Sequence, residues 1–291
     1  MPNMEENDLL LKLNQAYKGL SKGQKQLANY IMENYDRAAF ITASKMGRVV
    51  GVSESTVVRF AYALGYDGYP ELQKSLQELI RNKLTSVQRI QLTSDLKQDD
   101  VLKSVLKADM ANIRATIDSI DNTAFNASIK ALLDAEKVYI VGVRSAAPLA
   151  QFLAYYLNFV LDNVITVNMV VSDAYESMVR ISEKDVCLGI SFPRYSRRTI
   201  EAFTFAKSHG ARLIAITDSP FSPVAELADH ALIARSDMAS FADSLAAPLS
   251  LINAIIVATS LQRKDEVYER FNQLESIWGR QNVYVTKENG F

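Results

Sequence analysis

The sequence predicts an α/β protein in two parts: an all-helical N-terminal domain carrying a helix-turn-helix, followed by a doubly wound, five-stranded parallel sheet. Three observations predict it. Apolar residues recur at three- and four-residue spacing from residue 8 to about residue 84, as at Leu27, Ile31 and Tyr35, which is the period of a helix. From residue 137 onward, short β-rich runs alternate with helical segments, the pattern of strands joined by crossover helices. Between the two lies residues 82–100, polar, weakly periodic and rich in Lys, Gln, Ser and Asp, which reads as linker.

The expected domains are therefore 1–84 (helical), 85–100 (linker), 101–263 (α/β) and 264–291 (a polar C-terminal extension). Two helices, 100–120 and 122–135, lead into the sheet. Strands are expected at 137–143, 163–168, 185–192, 211–217 and 230–234, with crossover helices such as 147–161 and 199–209 between them. Residues 245–261 are apolar almost all round, as in a helix buried in the core or across a dimer interface. In the extension, the single Trp278 is expected to pack back onto the body.

Composition narrows the function classes. With 48% hydrophobic and 22% charged residues over 291 positions, each part can bury a core of its own. No apolar run approaches the roughly 20 residues of a membrane span, and the start MPNMEENDLL is acidic where a signal peptide is basic. A cytoplasmic protein without membrane partners is the expectation. Cys187 is the one cysteine: it forms no internal disulfide, has no neighbours at metal-ligand spacing, and reads as a small buried hydrophobe. Neither a metal nor a cofactor is expected. A net charge of −1 means that any nucleic-acid contact must come from a local patch.

Such a patch lies in TASKMGRVVGVSESTVVRFAYAL, residues 42–64. It reads as helix, tight turn, helix, with Gly51 permitting the turn, Ser53 capping the second helix, Glu54 in its first turn and Gly65 closing it. Val52, Val57, Phe60 and Leu64 fall on the buried face, while Ser55, Thr56 and Arg59 turn outward. Short polar side chains at a helix N-terminus, with Lys45, Arg48 and Arg59 nearby, are what a major-groove reader presents to DNA. Thr42, Lys45, Ser53, Ser55, Thr56 and Arg59 are the candidate DNA-contacting residues; a plain helical hairpin is the alternative. GVSESTVVRFAYALGYDGYPELQ resembles the recognition helix and following turn of the RpiR family of regulators, in residue order as well as type. Gly47 departs from the alanine usual there, which is expected to loosen the first helix.

In open parallel sheets, ligands bind beyond the carboxyl ends of the strands where strand order reverses. VYIVGVRSAAPLA places Gly142, Arg144 and Ser145 at one strand–helix junction, and CLGISFPRYSRRTIEA places Ser191, Arg194, Tyr195, Ser196 and Thr199 at another. Ser196 and Thr199, three apart, suit a phosphate at a helix start, with Arg194, Arg197 or Arg198 adding charge. Alternatively, Ser196 merely caps the helix and the arginines are solvated. Gly142 lacks the further glycines of a dinucleotide fingerprint.

These residues resemble the sugar isomerase (SIS) domain. The resemblance implies that Ser145, Ser196 and Thr199 are phosphate or sugar ligands and that Ser191 and Tyr195 line the pocket. The usual Ser-x-Ser-Gly-x-Thr is here Arg194-Tyr-Ser-Arg-Arg-Thr199, with arginines in place of its first serine and its glycine. Asp243, in SDMASFADSLAAP, is a further pocket candidate. Glu176, Glu201, Asp218 and His209 are possible acid–base groups by type, but each reads better as a solvated or capping residue, so no catalytic residue is assigned.

The reading is a regulator binding a palindromic double-stranded operator as a homodimer or higher oligomer, controlled by a phosphosugar. The alternatives are a phosphosugar isomerase or lyase with an added helical domain, and a redox or nucleotide sensor.

Overall fold

The computed structural model describes residues 8–80, 87, 89, 90, 100–167, 174–238 and 241–285. Its internal contacts divide the chain into two units, Met1–Lys97 and Gln98–Phe291. Most of the 85–100 linker, residue 168 of the second expected strand and the end of the C-terminal extension lie outside the described residues.

The first unit is helical throughout its described residues. It runs α1 (Asp8–Ala16), a 3-10 turn (Tyr17–Gly19), α2 (Lys22–Glu33), α3 (Tyr35–Ala38), α4 (Ala43–Val50), α5 (Glu54–Ala63) and α6 (Tyr69–Ile80). The apolar period converges on one core of Leu9, Leu13, Leu27, Ile31, Met46, Phe60, Leu72 and Leu76, all fully buried. Helix α2 begins with a capping box, Ser21 accepting from the Gln24 amide while the Gln24 side chain accepts from the Ser21 amide. Tyr69 donates its hydroxyl to the Ile41 carbonyl at 2.6 Å, tying α6 to the turn before α4. Burial pushes the pKa of that phenol up to about 12.

The second unit opens with α7 (Val101–Ser119) and α8 (Asn122–Asp134), the latter capped by Asp121. There follow β1 (Val138–Gly142), a 3-10 turn (Arg144–Ala146), α9 (Ala147–Leu157), β2 (Val164–Thr166), α10 (Ala174–Ser177) and β3 (Val186–Ile190). Then come α11 (Arg197–Ser208), β4 (Arg212–Thr217), β5 (His230–Ile233), α12 (Ala246–Gln262) and α13 (Lys264–Arg280). The sheet is five-stranded in the order β2-β1-β3-β4-β5, and every pairing is parallel, as the strand–helix alternation predicts.

Alternate residues of each strand feed two cores. Ile140, Leu188 and Ile214 meet Leu132, Leu153 and Ile252 on one face. Tyr139, Val141, Cys187 and Leu213 meet Met178, Ala202 and Phe203 on the other. Strand β3 is buried along its whole length, which is why its sequence is apolar without alternation. Within it Cys187 has no exposed surface, and burial raises its thiol pKa.

Helix α12 buries Leu251, Ile252, Ile255 and Thr259 but leaves Val257 and Leu261 more than half exposed. A second exposed apolar stripe runs along α7 through Leu102, Leu106, Met110 and Ile117. Two helix boundaries differ from expectation by two residues or more. Helix α9 stops at Leu157, where the Asn158 side chain folds back onto the Ala154 carbonyl. Helix α11 starts two residues earlier than expected, at Arg197.

The C-terminal extension contains a helix of 17 residues, α13, that buries none of them. It is held by an Arg270–Asp162 ion pair at 2.6 Å and by Phe271 against Phe159, ring centroids 5.2 Å apart. Trp278 packs on Phe271 of its own helix and on Tyr284, so its link to the body runs through Phe271.

The chain beyond β5 is fastened to α7 by a side chain acting as a peptide group. Buried Asn112 donates to the Asp237 carbonyl at 2.9 Å and accepts from the Asp237 amide at 3.1 Å. Thr116 accepts from the Arg235 amide at 2.9 Å. Asn112→Ala, which leaves both Asp237 groups without their partner, is expected to lower the unfolding free energy of this unit by about 1–3 kcal/mol in urea titrations.

Candidate functional site

In the first unit, α4 is capped by Thr42, which accepts from the Lys45 amide, and ends at Gly51 in the left-handed conformation, φ +80°. The Gly47 carbonyl accepts from both the Gly51 and Val52 amides at 2.8 Å. A Cβ on Gly47 would lie 2.7 Å from the Val52 carbonyl oxygen. The glycine therefore lets the turn close onto the helix.

Ser53 caps α5, accepting from the Thr56 amide. Its hydroxyl lies 2.9 Å from that of Ser55 and 2.8 Å from that of Thr56, so three hydroxyls gather at the first turn. Val57, Phe60 and Leu64 are buried as expected, whereas Val52 is only half-buried. Thr56 is half-buried rather than turned fully outward, and a Cβ on Gly23 of α2 would lie 3.5 Å from its methyl group and 3.2 Å from Val52. Thr42, Lys45, Arg48, Ser53, Ser55 and Arg59 are exposed, and Arg59 Nε donates to the Ser55 carbonyl at 3.2 Å, laying the side chain along the helix.

In the second unit, the strand order reverses between β1 and β3, and their register places Gly142 opposite Ile190. The two predicted loops thus leave the sheet side by side, at the crevice where such folds take ligands. A Cβ on Gly142 would meet the Ala146 carbonyl and the Ala150 Cβ at 2.8 Å, so glycine is what allows the chain to fold back into α9. Arg144 follows with φ +57° and is exposed, as is Ser145.

On the other side, Ser191 is buried and donates its amide to the Ile216 carbonyl at 3.1 Å, continuing the β3–β4 ladder. Arg194 is exposed with φ +63°. A left-handed backbone costs a residue with a Cβ roughly 1 kcal/mol. Tyr195 donates its hydroxyl to Asp218 Oδ1 at 2.9 Å, and the Thr217 hydroxyl donates to the same oxygen at 3.3 Å. Asp218, read as a solvated or capping residue, is instead a 6% exposed carboxylate at the end of β4. The signal available in sequence was its place directly after an apolar strand.

Ser196 stands at the N-cap of α11, but its side chain makes no cap hydrogen bond, contrary to the capping alternative. Thr199, in the first turn, is wholly buried and its hydroxyl has no hydrogen-bond partner. Arg197 is engaged with Glu201 along the helix at 2.8 Å. The Thr199 amide itself donates to the Ser196 carbonyl at 3.1 Å. A helix start with an uncapping serine and an unpartnered buried hydroxyl is suited to an oxyanion.

Asp243 is half-buried on the segment between β5 and α12, where the neighbouring Ser244 donates to Asp109 of α7. Glu176 is exposed on α10, and His209 bonds the Phe205 carbonyl at the end of α11. Among the described residues there is no cluster of His, Cys, Asp and Glu able to hold a metal.

Two family models match the chain: the helix-turn-helix domain of the rpiR family over residues 7–83 and the SIS domain over residues 131–258. An HTH-type transcriptional regulator of Haemophilus influenzae is 27% identical over 235 residues, covering 79% of this chain and 80% of the relative. The sugar isomerase domain of an RpiR transcription factor from Sphaerobacter thermophilus superposes with a TM-score of 0.58 at 23% identity, over 61% of this chain and 99% of that domain. The Vibrio vulnificus NanR protein, solved in complex with ManNAc-6P, superposes with a TM-score of 0.56 at 21% identity, over 94% of this chain and 98% of its own.

Two substitutions test these local geometries. Gly47→Ala is expected to destabilise the first unit by about 1–3 kcal/mol, read from its urea midpoint, because backbone must move to admit the methyl group. Thr199→Val removes an unpartnered buried hydroxyl without changing shape. It is expected to stabilise the ligand-free protein by about 1 kcal/mol, and a loss of stability would show that the hydroxyl is already satisfied.

Proposed function

Because the chain belongs to the RpiR-type transcription regulators, which join this helix-turn-helix to a SIS domain, we propose that a phosphorylated sugar bound in the SIS domain controls its affinity for a DNA operator. The observation that carries the proposal is the buried, unpartnered Thr199 hydroxyl beneath the open N-terminus of α11, at the point where strand order reverses. The phosphate sits there, on the first-turn amides with Ser196 and Thr199, and Ser145 reaches it from the β1 side. Gly142 keeps that approach clear, Ser191 and Tyr195 line the floor, Arg144 and Arg194 flank the mouth, and Asp243 is an outer contact. That NanR was solved with a phosphorylated amino sugar supports this ligand class.

DNA is held by the first turn of α5, where Ser53, Ser55 and Thr56 face base edges and phosphates and Arg59 follows one turn later. Thr42 and Lys45 at the start of α4 contact the backbone. The domains are those drawn from sequence, 1–84 and 101–263, joined by 85–100 and followed by 264–291.

The working form is a homodimer, covering the exposed apolar residues of α7 and α12, on a palindromic operator with half-sites about 34 Å apart. Effector binding changes operator affinity by a coupling free energy between the two sites. The protein acts in the cytoplasm; among its described residues no helix is long and apolar enough to cross a membrane.

One observation favours a second reading, that of a phosphosugar isomerase: the buried Asp218 carboxylate beside the crevice. Against it, His209 bonds the Phe205 carbonyl at the far end of α11 and Glu201 is paired with Arg197. Turnover of hexose or pentose phosphates by the purified protein decides between them.

The test is selection of genomic fragments by the purified chain, followed by gel shifts at fixed salt across a panel of sugar phosphates. One phosphosugar is expected to release or tighten specific fragments, and selection of no DNA under any condition refutes the regulator. Arg59→Ala is expected to weaken operator binding by about 1–3 kcal/mol while leaving effector binding intact. Joint loss of both would mark a folding defect.

A further inference from the structure

Helix α7 meets its own unit with polar residues and solvent with apolar ones. Its buried residues are Asn112 and Thr116, while Leu102, Leu106, Met110 and Ile117 are exposed. A surface helix ordinarily docks by its apolar stripe. This one is fastened by side-chain hydrogen bonds to the segment between β5 and α12. Asn112 makes two with the Asp237 backbone, Thr116 accepts from the Arg235 amide, and Ser244 donates to Asp109. The Thr116 hydroxyl also donates to the Asn112 carbonyl at 2.8 Å, so one hydroxyl joins the helix to the segment in both directions. Such bonds add little net free energy beside that of a buried apolar face, and elements held this way open before the core does.

The clasp is joined to the crevice by a row of bonds across the carboxyl ends of the strands. After β3, the Ser191 amide donates to the Ile216 carbonyl and the Tyr195 hydroxyl to Asp218, so the loop of the candidate site is tied to the end of β4. Between those two positions, the Thr217 carbonyl accepts from the Ala234 amide at 2.8 Å. The next amide along, that of Arg235, is the one Thr116 accepts. At its other end, α7 is the first helix after the linker, and from Asp109 back to Val101 it runs about 12 Å.

We infer that α7 is a switch: an effector at the ends of β3 and β4 changes how firmly the clasp holds it, and the linker carries that change to the DNA-binding unit. This rests on the phosphosugar reading above. A ligand shifts an equilibrium only where it interacts differently with the two states. Ser191 and Tyr195 belong to the candidate site and are bonded to the strand end from which Ala234 and Arg235 continue. The second state is undocked α7, which breaks the polar clasp without exposing any buried apolar side chain of the helix, since none is buried.

The experiment is amide hydrogen exchange of the full chain read by mass spectrometry, with inorganic phosphate as the probe and chloride at equal ionic strength as the reference. Phosphate is expected to slow exchange over 195–200, where it binds, and by roughly threefold or more over 109–117 and 235–237, with α8 unchanged. Thr116→Val removes the hydroxyl that joins Arg235 to α7 and is expected to keep the first effect and lose the second. Thr116→Ser, which retains the hydroxyl, is expected to keep both.

Slowing over 195–200 alone in the unsubstituted chain overturns the switch and leaves the phosphosugar reading standing. No slowing in either region overturns both. Slowing that extends equally to α8, or that persists over 109–117 in Thr116→Val, assigns the effect to general stabilisation and overturns the switch.

Discussion

The register of β1 on β3 is the constraint on which the rest of the second unit depends. With Gly142 opposite Ile190, the outgoing loops of the two strands start at the same level, one turning into α9 and the other toward α11. Sliding the pair by one residue would exchange the two cores, driving Ile140 and Leu188 to the face that now holds Tyr139 and Cys187. Because both faces of β3 are buried, no such slip leaves its side chains solvated, and the register is held by packing from both sides. The crevice inherits its geometry from this fit. Ser191 enters it on the end of a ladder whose last rung is its own amide on the Ile216 carbonyl.

What could be read from sequence follows from where the physics is local. Strands buried on both faces and helices with one apolar stripe declare themselves in composition and period, and the five strands and their order of appearance were legible for that reason. Helix α13 was not, because its apolar side is narrow and shallow: Val267, Phe271, Leu274 and Trp278 are only half-buried, no residue is fully buried, and most of the rest is polar. Asp218 was misread because Tyr195, 23 residues before it, meets it only when β3 and β4 are adjacent. The packing at Gly47 was not legible for the opposite reason. Helix propensity weighs a glycine by its own backbone, whereas its value here lies in the Val52 carbonyl pressed against it.

The helix-turn-helix shows how a protein of net charge −1 can present a surface for a polyanion. The exposed cations Lys45, Arg48 and Arg59 are confined to α4 and α5, and the hydroxyls of Ser53, Ser55 and Thr56 form a small network among themselves at the helix start. That network orients the first turn before any partner arrives, which lowers the side-chain ordering required on binding. Thr56 joins the network through its hydroxyl, while its methyl group faces Gly23 of α2, where an added Cβ would lie 3.5 Å away.

The location of Trp278 has a spectroscopic consequence. It is the chain's one tryptophan, it sits near the end of α13, and its neighbours are Phe271 and Tyr284. Emission excited selectively at the indole therefore watches one surface helix and is nearly blind to the strand ends and to the helix-turn-helix. Unfolding followed by that emission reports when α13 leaves Phe159, whereas circular dichroism averages over both units. Where the two curves part, the gap measures how much more weakly the last helix is held than the sheet beneath it.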